Sequence, residues 1–137
     1  MITPCDGLVR PEATLRTRDL ARYARVPVDV AEPRYRRPLL RHLEALAPDW
    51  AEAEVVLLGS VASPKYVEVL SGIFGERLLF PIEFVGRGDM SRGGLLLRQA
   101  SAGVELEYVS VLGATLHGAR PPKLPPLHAP TAHSHRR

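Results

Sequence analysis

Apolar residues along the chain recur in two rhythms, one near every third or fourth position and one in short unbroken runs, so both helices and buried strands are expected. Pro38 followed by Leu39, Leu40, Leu43, Leu46 and Ala47 lays an apolar stripe on one helical face and stops at Pro48. Glu54-Val55-Val56-Leu57-Leu58-Gly59-Ser60 is a continuous apolar run closed by Gly-Ser, the pattern of a strand covered on both faces, and it predicts the central strand of a parallel sheet. Ser63 then supplies an N-cap and Pro64 a first helical position. Tyr66, Val67, Leu70, Ile73 and Phe74 form an apolar face that ends at Gly75. Arg77-Leu78-Leu79-Phe80 predicts the next strand, making residues 54–80 a strand-helix-strand unit with a right-handed crossover. Leu95 to Ala100 and Val104 to Val111, joined by Ser101-Ala102-Gly103, predict a hairpin with Val104, Leu106 and Tyr108 on one face. Upstream, residues 12–25 scatter Leu15, Leu20, Tyr23 and Ala24 among arginines, a weakly helical or irregular segment, and Val26 to Val30 reads as a short extended piece.

The expected fold is α/β. It is a single domain with a mixed, mostly parallel sheet flanked by helices, a C-terminal β-hairpin and a disordered tail, divided as residues 1–117 and 118–137. The tail follows from composition: from Arg120 onward there are five prolines in eighteen residues and no apolar periodicity. Within it, His128, His133 and His135 are conceivable metal ligands, and Pro121-Pro122-Lys123-Leu124-Pro125-Pro126 suits a polyproline II groove.

A length of 137 residues fits one core, and 45% hydrophobic with 24% charged residues is the balance of an ordinary globular protein. No apolar run approaches the roughly 20 residues a bilayer-spanning helix needs, and Met1-Ile2-Thr3-Pro4-Cys5-Asp6 does not resemble a signal peptide, so no membrane partner and a cytoplasmic location are expected. The single cysteine, Cys5, excludes an internal disulfide and a zinc ribbon. The formal charge is +3, but residues 116–137 hold four cations and no carboxylate, which leaves residues 1–115 at −1. Sixteen arginines against two lysines is as readily a mark of a GC-rich genome as of guanidinium chemistry.

Two loops carry candidate chemistry, because in α/β sheets ligands sit beyond the carboxyl ends of strands, where unpaired amides and helix N-termini collect. The first sets Gly59, Ser60, Ser63 and Lys65 at the start of a helix and suits an anion. It lacks P-loop spacing, and a capped helix with a solvated lysine explains the same residues. The second, Gly86-Arg87-Gly88-Asp89-Met90-Ser91-Arg92-Gly93-Gly94, offers Arg87 and Arg92 for bidentate contacts to phosphate or carboxylate, with Gly88 allowing close approach and Asp89 and Ser91 orienting the cations. A flexible hairpin connection is the alternative. Arg34, Arg36 and Arg37 around Tyr35 form a cluster suited to nucleic-acid phosphates or simply to solvent. Cys5 has no identifiable histidine partner, since His42 falls on a helix and His117 borders the tail.

Three short segments also carry a resemblance. Cys5-Asp6-Gly7-Leu8-Val9-Arg10-Pro11 resembles a turn of the YaaA-like peroxide-stress proteins and of the archaeosine-synthase-associated α/β domain. Tyr23-Ala24-Arg25-Val26-Pro27-Val28 is similar to a stretch of the latter, and Val56-Leu57-Leu58-Gly59-Ser60 with Lys65-Tyr66 to their second strand and its continuation. The resemblance covers residues 3–80. It implies an α/β domain related to uracil-DNA-glycosylase-like folds, associated with DNA or with modification of a tRNA base. The family's lead-in is replaced here by Thr3-Pro4-Cys5-Asp6-Gly7, and the archaeosine-synthase motif survives only as Pro4-Cys5, so no catalytic residue is carried over. The resemblance implies a first strand preceding Thr3, so an α/β domain lacking that strand is the expectation it carries.

The leading functional expectation is a nucleic-acid-associated module, linked to tRNA or DNA base modification or to a stress response, with RNA or DNA as partner. The alternative is a small-molecule enzyme or binder for an anionic, nucleotide-like ligand, and a third reading is an interaction domain using the proline-rich tail. No cofactor and no metal site is expected, and no reaction is assigned. The ligand reading requires the turn after Leu58 and the glycine-arginine segment to meet at one rim of the sheet.

Overall fold

The computed structural model describes residues 1–126. Four helices, α1 (Thr17–Tyr23), α2 (Pro33–Leu46), α3 (Pro64–Phe74) and α4 (Asp89–Ala102), pack with a three-stranded sheet of β1 (Val55–Val56), β2 (Leu78–Pro81) and β3 (Tyr108–Ser110). Short 3-10 turns at Gly75–Arg77 and Ile82–Phe84 flank β2. The strand order is β1-β2-β3, with β1 and β2 parallel and β2 and β3 antiparallel. The sheet is therefore mixed, with one parallel and one antiparallel pair in place of the mostly parallel sheet expected. The centre of the sheet is β2, which buries Leu78, Phe80 and Pro81, and the run at Val55 forms an edge. Only Leu57 of that run is buried beside the strand, while Leu58 is 54% exposed. An unbroken apolar run marks a strand but not its place in a sheet.

The strand-helix-strand unit forms as expected. Ser63 in extended conformation accepts the Lys65 N–H at 3.3 Å, Pro64 occupies the first helical position, and Val69, Leu70 and Phe74 turn inward. Helix α2 begins earlier than its stripe suggests: Pro33 stands in the first turn, Glu32 caps it, and Pro38 lies inside the helix. Its buried side chains Tyr35, Leu39 and Leu43 face Val69, Leu70 and Phe74 within a single core completed by Leu78, Phe80, Phe84, Leu95, Leu106 and Val111.

The expected C-terminal hairpin is not found. Residues 89–102 are helical, and β3 pairs with β2. Three consecutive leucines fit either period, and the deciding signals lie at the ends. Asp89 sits in the first turn, where the helix dipole favours a carboxylate, and Gly103 ends the helix at φ 66°. Leu95 alone is buried; Leu97 is 66% exposed.

Two glycines permit close backbone approaches. Gly7, at φ 64°, brings its turn against α2, where a Cβ would stand 2.6 Å from His42 Nδ1 and 2.7 Å from the Pro38 carbonyl oxygen. Leu8 N–H then donates to His42 Nδ1 at 3.0 Å. Gly86, at φ 75°, leaves no room for a Cβ against the carbonyl of Ala119. Residues 118–126, the first part of the expected tail, lie beside α4: Leu124 packs on the core, and Arg98 donates to the carbonyls of Gly94 and Pro125. His128, His133 and His135 lie outside the described residues.

Candidate anion-binding cleft

The chain leaving β1 turns at Leu58-Gly59-Ser60 into α3, and the chain leaving the 3-10 turn after β2 enters α4 at Asp89. These two helix starts meet across one cleft of about 360 Å³, bounded by Gly59, Ser60, Lys65 and Tyr66 on one side and Asp89, Arg92 and Leu96 on the other. The two candidate loops thus do come side by side. A helix N-terminus carries roughly half a positive charge and unbonded N–H groups. In α4 the N–H of Arg92 bonds back to the Gly88 carbonyl at 2.9 Å. The preceding N–H groups belong to the uncompensated first turn. On the opposite wall, the backbone N–H groups of Leu58, Gly59 and Ser60 have no hydrogen-bond acceptor among the described residues.

Two cations line the cleft in different states. The Arg92 side chain is 11% exposed; it lies over the Phe84 ring with 6.0 Å to the centroid, donates to the Arg87 carbonyl at 2.7 Å, and pairs with Asp89. Asp89 is 92% exposed, so its carboxylate reaches in from the rim. The Lys65 ammonium stands 5.0 Å from the Tyr66 ring centroid, and no described carboxylate lies within ion-pairing distance of it. Its backbone is fixed from beneath: Tyr35, fully buried, donates its hydroxyl to the Lys65 carbonyl at 2.6 Å and ties α2 to the first turn of α3. Burial pushes the Tyr35 hydroxyl pKa well above its usual value.

Of the sequence candidates, Gly59, Ser60, Lys65, Asp89 and Arg92 share this cleft. Ser63 is the α3 cap and Gly88 the α4 cap. Arg87 and Ser91 are directed elsewhere. Arg87 donates to the Glu83 carbonyl at 2.7 Å and to Ser91 Oγ at 3.1 Å, and both line a separate hollow with Arg98 and Lys123. Arg34, Arg36 and Arg37 all lie exposed on α2. Arg34 grips Glu32 through two nitrogens at 2.8 and 2.9 Å, which lowers the Glu32 pKa to about 2, and Arg36 approaches Glu68 at 3.8 Å. Sequence reasoning missed Tyr66 and Tyr35. Tyr66 was legible as the neighbour of Lys65 in the first turn; Tyr35 reads in the sequence only as the aromatic amid Arg34, Arg36 and Arg37, whereas it is buried and bonded to the Lys65 carbonyl.

Among the described residues no group of three His, Cys, Asp or Glu side chains converges as a metal site, and no helix is long and apolar enough to cross a membrane. Comparison with protein-family models, curated proteins and solved structures finds no match.

Proposed function

We propose that this protein binds a small anionic ligand, through a phosphate or carboxylate, in the cleft between the starts of α3 and α4. The observation that carries the reading is the convergence of unbonded backbone N–H groups with Lys65 and Arg92 on one concavity. Donors of this kind recognise an anion with little reorganisation, because backbone groups are already held in place. Asp89 occupies the place such a ligand would take, so binding exchanges one carboxylate for another group on Arg92.

The exchange gives opposite signs for two substitutions. Asp89→Asn weakens the internal competitor and raises affinity for inorganic phosphate or pyrophosphate, whereas Lys65→Ala lowers it. At a hundredfold excess over Kd a ligand that binds only the native state stabilises it by about 2.7 kcal/mol. A thermal-shift titration checks both. Equal responses from wild type, Asp89→Asn and Lys65→Ala would remove the cleft from consideration.

Association with RNA or DNA is the second reading, supported by the resemblance over residues 3–80 and by the exposed arginines of α2. It has thinner support, since Arg34 and Arg36 already face Glu32 and Glu68 and residues 1–115 sum to −1. Retention of RNA on a filter that falls steeply with salt is the expected result of that reading, and no retention at low salt would end it.

A further inference from the structure

Four cations gather around one hollow on a different face of α4 from the anion cleft. Arg87 precedes the helix and Arg98 stands within it, while Arg120 and Lys123 come from the proline-rich segment whose composition predicts disorder. All four line a concavity of about 280 Å³. Close fit brings the segment there. A Cβ on Gly86 would stand 2.2 Å from the Ala119 carbonyl oxygen, one on Gly94 would lie 3.7 Å from Leu124 Cδ1, and Leu124 packs on the core. Packing, and no acid, thus delivers two of the cations to the other two.

Like charges gathered in this way repel one another unless an anion sits among them. The chain supplies none. No Asp or Glu lines the hollow, and no described carboxylate lies within ion-pairing distance of any of the four. Residues 127–137 contain neither Asp nor Glu. Neutral groups orient the two helix-side guanidinium groups instead: the Glu83 carbonyl at 2.7 Å and Ser91 Oγ at 3.1 Å hold Arg87, and the carbonyls of Gly94 and Pro125 hold Arg98. Each arginine spends two of its five N–H groups this way and keeps the rest for a ligand.

We infer that this hollow is a second anion site, independent of the cleft, that takes a pair of linked phosphoryl groups, as in pyrophosphate or the diphosphate of a nucleotide. Charge selects the pair. A single phosphate group brings about two negative charges at most, half of what four cations match. A second phosphoryl group joined to the first brings further charge and acceptor oxygens into the same concavity, in the geometry that guanidinium forks recognise. A nucleic-acid strand fits less well, because no aromatic side chain lines the hollow to stack a base.

The test is an amide-resolved NMR titration of the full chain with pyrophosphate, ADP, inorganic phosphate and citrate, which reads the two sites separately. Pyrophosphate is expected to shift the Arg98, Arg120 and Lys123 amides saturably and to bind there about tenfold or more tightly than inorganic phosphate or citrate. Arg120 and Lys123 are exposed, so both can be changed without disturbing the core. Arg120→Gln combined with Lys123→Gln weakens pyrophosphate about tenfold at these amides and leaves the response of Leu58 to Ser60 as in wild type; Lys65→Ala does the reverse. ADP binding more tightly than pyrophosphate assigns the phosphoryl pair to a nucleotide, and weaker binding assigns it to the free anion. Citrate or inorganic phosphate matching pyrophosphate overturns the linked-phosphoryl assignment. No saturable shift at the three amides, or an unchanged affinity in the double variant, overturns the site. The cleft stands or falls on Leu58 to Ser60, so the two readings fail separately.

Discussion

Tyr35 shows how one side chain serves both stability and site. Its ring is fully buried and its hydroxyl holds the Lys65 carbonyl, so Tyr35→Phe is expected to cost about 1 kcal/mol and to loosen the first turn of α3. The same burial raises the hydroxyl pKa above 10.0, its ordinary value, so the native state keeps the proton that the unfolded chain releases near pH 10. Stability contributed by this group is therefore complete below pH 10 and declines as pH rises further. Denaturant titrations at pH 9 and 11 should show a drop in wild type that Tyr35→Phe reduces. Asp6 acts at the other end of the scale: hydrogen bonds from Arg22, opposed by burial and helped by the Tyr23 hydroxyl, hold its pKa below 3.8. Its contribution is present above that value and lost as pH falls through the native pKa. Acid unfolding of Asp6→Asn is accordingly expected to be less steep below pH 3.8 than that of wild type; identical acid limbs would contradict the role given to the pair. None of this was legible beforehand, because the Arg22 and Asp6 side chains meet only after the chain folds.

At the scale of elements, legibility followed the strength of local signals. Helix α3 was readable because cap, proline and apolar face agree. The segment from Gly86 to Ala102 does not read as a helix in the sequence because Gly93 and Gly94 argue against one, each by about 1 kcal/mol relative to alanine, and Leu95-Leu96-Leu97 has no period of its own. Packing of Leu95 and the end signals at Asp89 and Gly103 outweigh that penalty. Gly93 offers a sharp test of the helix. Gly93 is exposed, and a Cβ there would meet nothing within 4 Å. Gly93→Ala should stabilise the protein by about 0.5–1 kcal/mol in urea unfolding; destabilisation would fit a loop or strand at this position and would count against α4.

For the whole molecule, the charge balance obscured the site more than it revealed it. All of the excess positive charge follows residue 115, and in the arginine-rich stretch at Arg34 two arginines face Glu32 and Glu68. What the sequence did convey was that two loops at strand ends carry anion-binding residue types. Their meeting in one cleft depends on the parallel pairing of β1 with β2, which sets the loops leaving both strands at one edge of the sheet. Which residues of the second loop enter the cleft depends on where α4 begins: its phase turns Arg92 into the cleft and Ser91 toward the other hollow, which Arg87, preceding the helix, also lines. The most direct test is therefore an amide-resolved NMR titration with inorganic phosphate. Anion binding in the cleft requires saturable shifts centred on the amides of Leu58, Gly59 and Ser60 together with those of Asp89 to Arg92. Shifts confined to the arginines of α2, or no saturable shift at any amide, would contradict it.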